Sequence, residues 1–176
     1  MSSPPEAGPF RVVSGGQTGV DRGALDAALD VGVPCGGWCP VGRRAEDGTI
    51  PARYPVVELV GAGYDERTQK NVEDSDGTLI ITFGAASGGT ARTIEFCGRL
   101  GRPHLTVDAV AVPLEEAIRQ AAQFVTEERI QQLNVAGPRA SGEARAYEFA
   151  YAVVRELCLQ RGAARRRHPP RQPSSA

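Results

Sequence analysis

Two glycine-rich segments of this sequence combine residue types that suit phosphate binding. Residues 14–22 read SGGQTGVDR and residues 83–93 read FGAASGGTART, and each lies between an apolar run and a helical pattern. Glycine allows the backbone to turn sharply and to approach a ligand closely. A following helix presents unpaired N–H groups and a positive dipole end, which favour an anion. The segments predict an anion-binding pocket, although neither matches a Walker loop or a GxGxxG fingerprint.

A third loop, residues 134–142, reads NVAGPRASG and also joins a predicted strand to a predicted helix. Arg139 could clamp a phosphate with two parallel hydrogen bonds. In all three loops the alternative is a plain turn in which one polar residue caps the helix. That residue is Thr18 or Asp21 in the first loop, Thr90 in the second and Ser141 in the third. One helix N-terminus contributes only about 0.3–2 kcal/mol, whereas micromolar binding requires about 8 kcal/mol. The loops must therefore act together to hold a ligand.

The segment 38–54 is long, irregular and rich in proline and arginine. Such a segment in a compact domain is usually functional or disordered, and its aromatic and aliphatic residues favour a functional loop. Trp38 and Tyr54 are alternatively ordinary core aromatics. Positive charge at the pocket is expected from the arginines of the segment, Arg43, Arg44 and Arg53.

Strand and helix patterns alternate along the chain, which predicts a parallel sheet with right-handed crossovers. Ligands of such sheets bind beyond the carboxyl ends of the strands, and we expect the first two glycine-rich segments to follow adjacent strands there. The fold class is α/β: a Rossmann-like, doubly wound parallel sheet with helices on both faces, in a single domain. Predicted strands cover residues 11–14, 35–38, 55–60, 79–83, 104–107 and 132–136, and predicted helices cover residues 20–31, 64–74, 90–100, 114–125 and 143–159.

Charge and cysteine content limit the classes of function. The net charge is −1, and five of the 20 basic residues lie between Arg161 and Arg171, so the rest of the chain is acidic. An acidic body is a poor nucleic-acid binder, because binding depends on many basic contacts to phosphate. The cysteines lack zinc-site spacing and are expected to be reduced thiols, buried or lining the pocket, in a cytoplasmic protein.

The two ends of the chain differ in composition from its centre. Residues 1–9 and 162–176 are rich in proline, serine, glycine and arginine, and we expect both to be disordered. Residues 10–161 are then the ligand-binding domain. No apolar run approaches the roughly 20 residues of a membrane helix, so no membrane contact is expected.

Five motifs occur in order over residues 11–159. They are GGQTGVDRGALDAA, CPxGRxAEDGxIPxRYP, the run Tyr64-x2-Arg67-Thr68-x2-Asn71-Val72, the GGT segment at 88–90 with Thr93 and Cys97, and NVAGPRAS. Together they resemble the molybdenum cofactor carrier proteins, a family related to the lysine-decarboxylase-like, cytokinin-activating phosphoribohydrolases. The resemblance implies a cytoplasmic homo-oligomer that carries or protects molybdenum cofactor, a molybdopterin with a terminal phosphate. It also implies partners among the enzymes that make or accept this cofactor.

By the pattern of this family, the cofactor-binding residues lie in the three loops and in the long segment. Molybdenum is held by the dithiolene of the pterin, so the resemblance implies no dedicated protein metal site, and Cys39 is a less favoured extra ligand. The candidate binding residues are Gly15, Gly16, Gln17, Thr18, Arg22, Arg43, Ser87, Gly88, Gly89, Thr90, Asn134, Gly137, Arg139 and Ser141.

Two other functions stay open. The related phosphoribohydrolases carry a PGGxGTxxE motif with a catalytic glutamate, whereas here Thr90 follows Gly89 directly and Glu95 stands five residues after Thr90. This departure disfavours hydrolysis of nucleoside 5′-monophosphates, and we expect a carrier more than an enzyme. The second alternative is a nucleotide-sensing or nucleic-acid-binding module, against which the acidic body argues.

Overall fold

The computed structural model describes residues 8–167, with side chains up to residue 162. The strands are β1 Arg11–Val13, β2 Cys35–Pro40, β3 Arg44–Ala45, β4 Gly48–Thr49, β5 Val56–Leu59, β6 Gly77–Thr82, β7 His104–Asp108 and β8 Gln132–Ala136. Six of them form one parallel sheet in the order β5-β2-β1-β8-β6-β7. The remaining two, β3 and β4, form a short antiparallel hairpin.

Helices cover both faces of the sheet, as a doubly wound fold requires. One core contains Ala24, Leu79 and Val154, and a second contains Ile80 and Phe96. Leu79 and Ile80 therefore face opposite sides of β6, in keeping with the two-residue period of a strand. The predicted fold class is confirmed. The helices are α1 Val20–Val31, α2 Tyr64–Glu73, α3 Gly88–Leu100, α4 Leu114–Glu127 and α5 Ala146–Arg167.

The prediction that the first two glycine-rich segments follow adjacent strands is wrong. β8 lies between β1 and β6, with Asn134 opposite Val13 on one side and opposite Thr78 on the other. The apolar pattern of a buried strand reports its burial and not its neighbours, so the last strand could not be assigned to the centre. This order brings the loop after β8 between the two glycine-rich segments.

The segment 38–54 is folded around a small core and is not an open loop. Its Ile50 and Tyr54 are buried together with Leu25 and Cys39, so Tyr54 is a core aromatic. A 3-10 turn at Val41–Arg43 and the hairpin β3–β4 complete the segment. This small core lies beside α1 and supports the first glycine-rich segment from outside.

The helix α5 continues to Arg167 and therefore extends into the predicted basic tail, residues 162–176. Of the two segments expected to be disordered, residues 1–7 and 168–176 lie outside the described residues. No helix within residues 8–167 is both long and apolar enough to cross a membrane.

Candidate ligand-binding site

A cavity of about 360 Å³ lies where the loops after β1, β6 and β8 meet. Its volume is within the range of about 300–1,000 Å³ that is typical of small-molecule sites. The position agrees with the expectation that ligands of parallel sheets bind beyond the carboxyl ends of the strands. The predicted binding residues that line it are Gly15, Gln17, Ser87, Gly89, Thr90, Asn134, Gly137, Arg139 and Ser141.

Gly15 leaves room for a buried arginine at the cavity. A Cβ atom at this position would overlap Nη1 of Arg67 and would lie 3.0 Å from Oδ2 of Asp21. Arg67 belongs to α2 and is only 8% exposed. Among the described residues, its Nε atom has no hydrogen-bond partner. The protein thus holds a positive charge at the cavity without using all of its hydrogen-bonding capacity.

Asp21, in the first turn of α1, is the acid that faces this arginine. Its Oδ2 atom lies 3.9 Å from Nη1 of Arg67 and accepts a hydrogen bond of 3.2 Å from the backbone N–H of Gln17. Burial raises the pKa of the Asp21 carboxyl, and the charge of Arg67 offsets only part of this effect. Burial also lowers the pKa of Arg67. The two charges compensate each other incompletely, so an anion in the cavity would stabilise Arg67 further.

The second loop leaves the start of α3 open. A Cβ atom at Gly88 or Gly89 would meet no atom of the described residues within 4 Å. Ser87 is the N-cap residue, but no side chain in the described part of the chain caps this helix with a hydrogen bond. The N–H groups of Thr90 and Ala91 donate to the carbonyl of Ser87. The N–H groups of Gly88 and Gly89 can donate to an anion in the cavity.

The third loop brings Asn134 and Arg139 to the cavity from the central strand. Asn134 Nδ2 donates a hydrogen bond of 3.3 Å to the hydroxyl of Thr78. The exposed guanidinium of Arg139 lies 5.3 Å from the centre of the Tyr64 ring, a cation–π geometry. None of the ion pairs among the described side chains involves Arg139. Its charge is therefore available to a ligand.

Glu143 is the second acid of the cavity lining, and its charge is balanced locally. Arg145 donates two hydrogen bonds of 2.8 Å to the two carboxylate oxygens of Glu143. These bonds lower the pKa of Glu143 to about 2. Because Arg145 offsets this acid and Arg67 faces Asp21, Arg139 is the arginine of the lining that forms no ion pair among the described side chains.

The model of the Circularly permutated YpsA SLOG family matches residues 12–158 of the sequence. The chain belongs to this family. The chain is similar to the "Putative molybdenum carrier protein" from Syntrophus aciditrophicus SB, whose crystal structure is known. The two sequences are 40% identical, and the two structures align with a TM-score of 0.82. The match covers 85% of this chain and 94% of that chain. These likenesses confirm the family resemblance of the five motifs, while a search of curated proteins finds no significant match.

Two predicted arginines of this family member lie outside the cavity lining. Arg22 forms a bidentate ion pair with Asp47, with distances of 2.5 and 2.8 Å. Arg43 donates hydrogen bonds of 2.8–3.1 Å to four backbone carbonyls of the segment 50–56. Both guanidinium groups are occupied in holding the small core and its hairpin. Arg44 and Arg53 do not line the cavity either, and Arg53 pairs with Asp26 at 3.0 Å.

Three further predicted residues also lie outside the lining. Gly16 has a φ of +79°, and a Cβ atom there would stand 3.2 Å from two carbons of Ile50, so it faces the small core. The Thr18 hydroxyl donates its hydrogen bond to Glu46. Gly88 is not in the lining, although both of its neighbours in the chain are.

Several lining residues were missed by the prediction. Arg67, Thr68 and Asn71 belong to the Tyr-x2-Arg-Thr-x2-Asn motif, which marked the family without being assigned a role in the site. That motif was the signal that could have found them. The four cysteines do not line the cavity; Cys39, Cys97 and Cys158 are buried and Cys35 is half-buried. The lining residues not predicted include Asp21, Arg67, Thr68, Asn71, Thr82, Phe83, Thr93 and Glu143.

Proposed function

We propose that this chain binds molybdenum cofactor, a phosphorylated molybdopterin, in the cavity between the three loops and carries or protects it. The observation that carries the proposal is the convergence of Arg139, Arg67 and the open start of α3 on one cavity of about 360 Å³. The name of the Syntrophus protein, a putative molybdenum carrier, supports the choice of ligand. Transfer to acceptor enzymes and assembly as a homo-oligomer follow from the family resemblance and stay predictions.

The chemistry of the lining fits the two ends of such a ligand. The terminal phosphate would accept hydrogen bonds from the first-turn N–H groups of α3 and from Arg139. The pterin offers amide-like donors and acceptors, for which Gln17 and Asn134 supply polar partners. Among the described residues, Oε1 of Gln17 has no hydrogen-bond partner. The part of the lining formed by residues 8–167 contains no thiol or imidazole, so the proposal leaves the molybdenum on the dithiolene of its pterin.

The magnitudes are sufficient when the groups act together. A partly buried helix N-terminus contributes up to about 2 kcal/mol, and each hydrogen bond to a charged group about 1.5–3 kcal/mol. Micromolar binding requires about 8 kcal/mol. Two arginines, one helix N-terminus and the polar groups that meet the pterin are enough to reach this value.

The test compares two arginine variants of the full chain. Arg139→Ala should weaken the binding of molybdenum cofactor about 10- to 150-fold, the equivalent of about 1.5–3 kcal/mol. Arg119→Ala is the matched control, because Arg119 pairs with Glu116 on α4 at 2.5 Å and does not line the cavity. The measurement is anaerobic equilibrium dialysis with cofactor released from a purified molybdoenzyme, together with the melting temperature of each variant.

Equal affinities of the Arg139→Ala and Arg119→Ala variants would contradict the assignment of the phosphate position. A wild-type protein that retains no cofactor at micromolar concentrations would contradict the carrier proposal itself. The comparison of the two variants counts only if their melting temperatures match that of the wild type, because an unfolded variant cannot bind.

The hydrolase alternative loses support from the position of Glu95. This side chain is 63% exposed, pairs with Arg92 at 3.1 Å and does not line the cavity. We therefore expect that adenosine monophosphate releases no adenine at an enzyme-like rate when it is incubated with the protein. Adenine release that disappears in Glu95→Gln would reverse this assignment.

A further inference from the structure

The hairpin β3–β4 places an acidic tip against two of the loops that surround the cavity. Glu46 accepts hydrogen bonds from the hydroxyls of Thr18 and Ser141, and a third of 3.1 Å from the backbone N–H of Ser141. The Thr18 hydroxyl in turn accepts a hydrogen bond of 3.1 Å from the backbone N–H of Ala140. The carboxylate of Glu46 thus occupies a group of donors that belong to the first and third loops.

These donors have the character of an anion-binding position. Two hydroxyls and a backbone N–H converge on the Glu46 carboxylate, and the positive charge of Arg139 acts on it as well. The hydrogen bonds from Ser141 and Thr18 lower the pKa of Glu46, so its carboxylate is ionised at neutral pH. The protein therefore supplies its own anion to this position.

The position adjoins the cavity, because Ser141 and Arg139 line it. Because Glu46 is not among the lining residues, a single phosphate at the start of α3 would make no direct contact with it. A ligand whose second phosphate reaches Ser141 and Arg139 would approach the donors that Glu46 occupies. It would then meet a like charge or have to displace a carboxylate that holds three hydrogen bonds.

We propose that Glu46 is a specificity-determining residue that restricts the cavity to ligands with one terminal phosphate and excludes diphosphate-bearing ligands. The inference rests on the proposed function, since it assumes a phosphate at the start of α3. Asp47, the other acid of the hairpin tip, does not share this role. It pairs with Arg22, which does not line the cavity.

The test uses adenosine mono- and diphosphate, because the two probes differ only in the second phosphate. Wild-type protein should bind the monophosphate at least tenfold more tightly than the diphosphate, as measured by protein-observed NMR titration at millimolar ligand. Glu46→Gln keeps acceptor capacity toward Ser141 but removes the negative charge, and should lower this selectivity roughly tenfold. Asp47→Asn is the matched control, since it removes the same charge one residue away, and should change the selectivity less than twofold.

Unchanged selectivity in Glu46→Gln, or an equal change in Asp47→Asn, would overturn the inference. Undetectable binding of both nucleotides to wild-type protein and to Glu46→Gln would also overturn it. The carrier proposal would still be judged separately, by the retention of molybdenum cofactor in the Arg139→Ala experiment. A Glu46→Ala variant with a wild-type melting temperature gives a second reading, and its selectivity should fall at least as far as that of Glu46→Gln.

Discussion

The two glycine-rich loops are alike in sequence and opposite in environment. In the first loop the space beside the glycines is filled, by Arg67 at Gly15, by Ile50 at Gly16 and by the 138–140 backbone at Gly19. In the second loop a Cβ atom at Gly84, Gly88 or Gly89 would meet no atom of residues 8–167 within 4 Å. Glycine serves close packing of the protein on itself in the first loop and access to the cavity in the second.

The different surroundings of the two loops show that a glycine-rich segment before a helix can serve two purposes. Glycine before a helix is required wherever another group must approach the backbone closely, and the approaching group can be a ligand or the protein itself. The backbone of the first loop is approached closely by the third loop. The N–H of Val20 donates a hydrogen bond of 3.2 Å to the carbonyl of Pro138. The glycines of the first loop therefore position Arg67 and the third loop, whereas the glycines of the second loop leave the start of α3 open to the ligand.

The largest effect on stability is expected for Gly19→Ala. Gly19 has a φ of +77°, and a Cβ atom there would stand 2.8 Å from the backbone nitrogen of Ala140 and closer still to the carbonyl oxygen of Pro138. Backbone strain of about 1–2 kcal/mol and overpacking of about 1–3 kcal/mol should together lower the free energy of unfolding by about 2–5 kcal/mol. Urea denaturation followed by circular dichroism measures this loss.

Gly84→Ala is the control that separates strain from packing. Gly84 has a similar φ of +85° but open space around it among the described residues. Its substitution should lower the free energy of unfolding only by the strain, about 1–2 kcal/mol. Equal losses in the two variants would mean that the first loop is no more tightly packed than the second.

The predictable part of this molecule is the part that depends on local pattern. All six sheet strands and five helices lie close to the predicted residues, because two-residue and 3.6-residue periods report which faces are buried. The strand order was missed, because β8 has the same apolar character as its neighbours. The sequence also does not show which arginine lines the cavity, because Arg43 and Arg67 are the same residue type and both lie in family motifs. Their roles differ because of their surroundings in the fold. Arg43 donates to four backbone carbonyls, whereas Arg67 lines the cavity.

A second prediction concerns the charge buried beside the first loop. Since burial raises the folded-state pKa of Asp21 above the model-peptide value of 3.8, the folded protein retains this proton at pH values where the unfolded chain has released it. The contribution of Asp21 to stability should therefore decrease as the pH rises from about 4 through the folded-state pKa. The free energy of unfolding of wild type minus that of Asp21→Asn should fall over this range and then level off.

The comparison with Asp21→Asn isolates this carboxyl, because Arg67 stays protonated throughout the range in both proteins. The quantity to measure is the difference between the two urea-unfolding free energies at steps from pH 4 to pH 7.5. A difference that rises with pH would mean that the Arg67 charge outweighs burial. Asp21 and Arg67 would then form a self-sufficient ion pair that needs no anion in the cavity.

The smallest effect on stability and the most selective effect on binding are expected for Gly89→Ala. Gly89 lies in the first turn of α3, has no positive φ and faces open space among the described residues. Alanine there should leave the free energy of unfolding unchanged or raise it by about 0.5–1 kcal/mol, because glycine is the weaker helix former. The added methyl group should nevertheless obstruct the ligand at the helix start and weaken the binding of molybdenum cofactor at least tenfold.

Gly16→Ala is the counterpart from the first loop, because its φ of +79° and its contact with Ile50 direct the added methyl group into the small core. It should lower the free energy of unfolding by about 1–2 kcal/mol and leave the affinity of the folded protein unchanged. In the double variant the loss of stability should come from Gly16→Ala alone and the loss of affinity from Gly89→Ala alone, since the two sites do not share a partner. A loss of affinity in the folded Gly16→Ala protein that matches the loss in Gly89→Ala would show that the glycines of both loops face the ligand. The assignment of close packing to the first glycine-rich segment and of ligand access to the second would then be wrong.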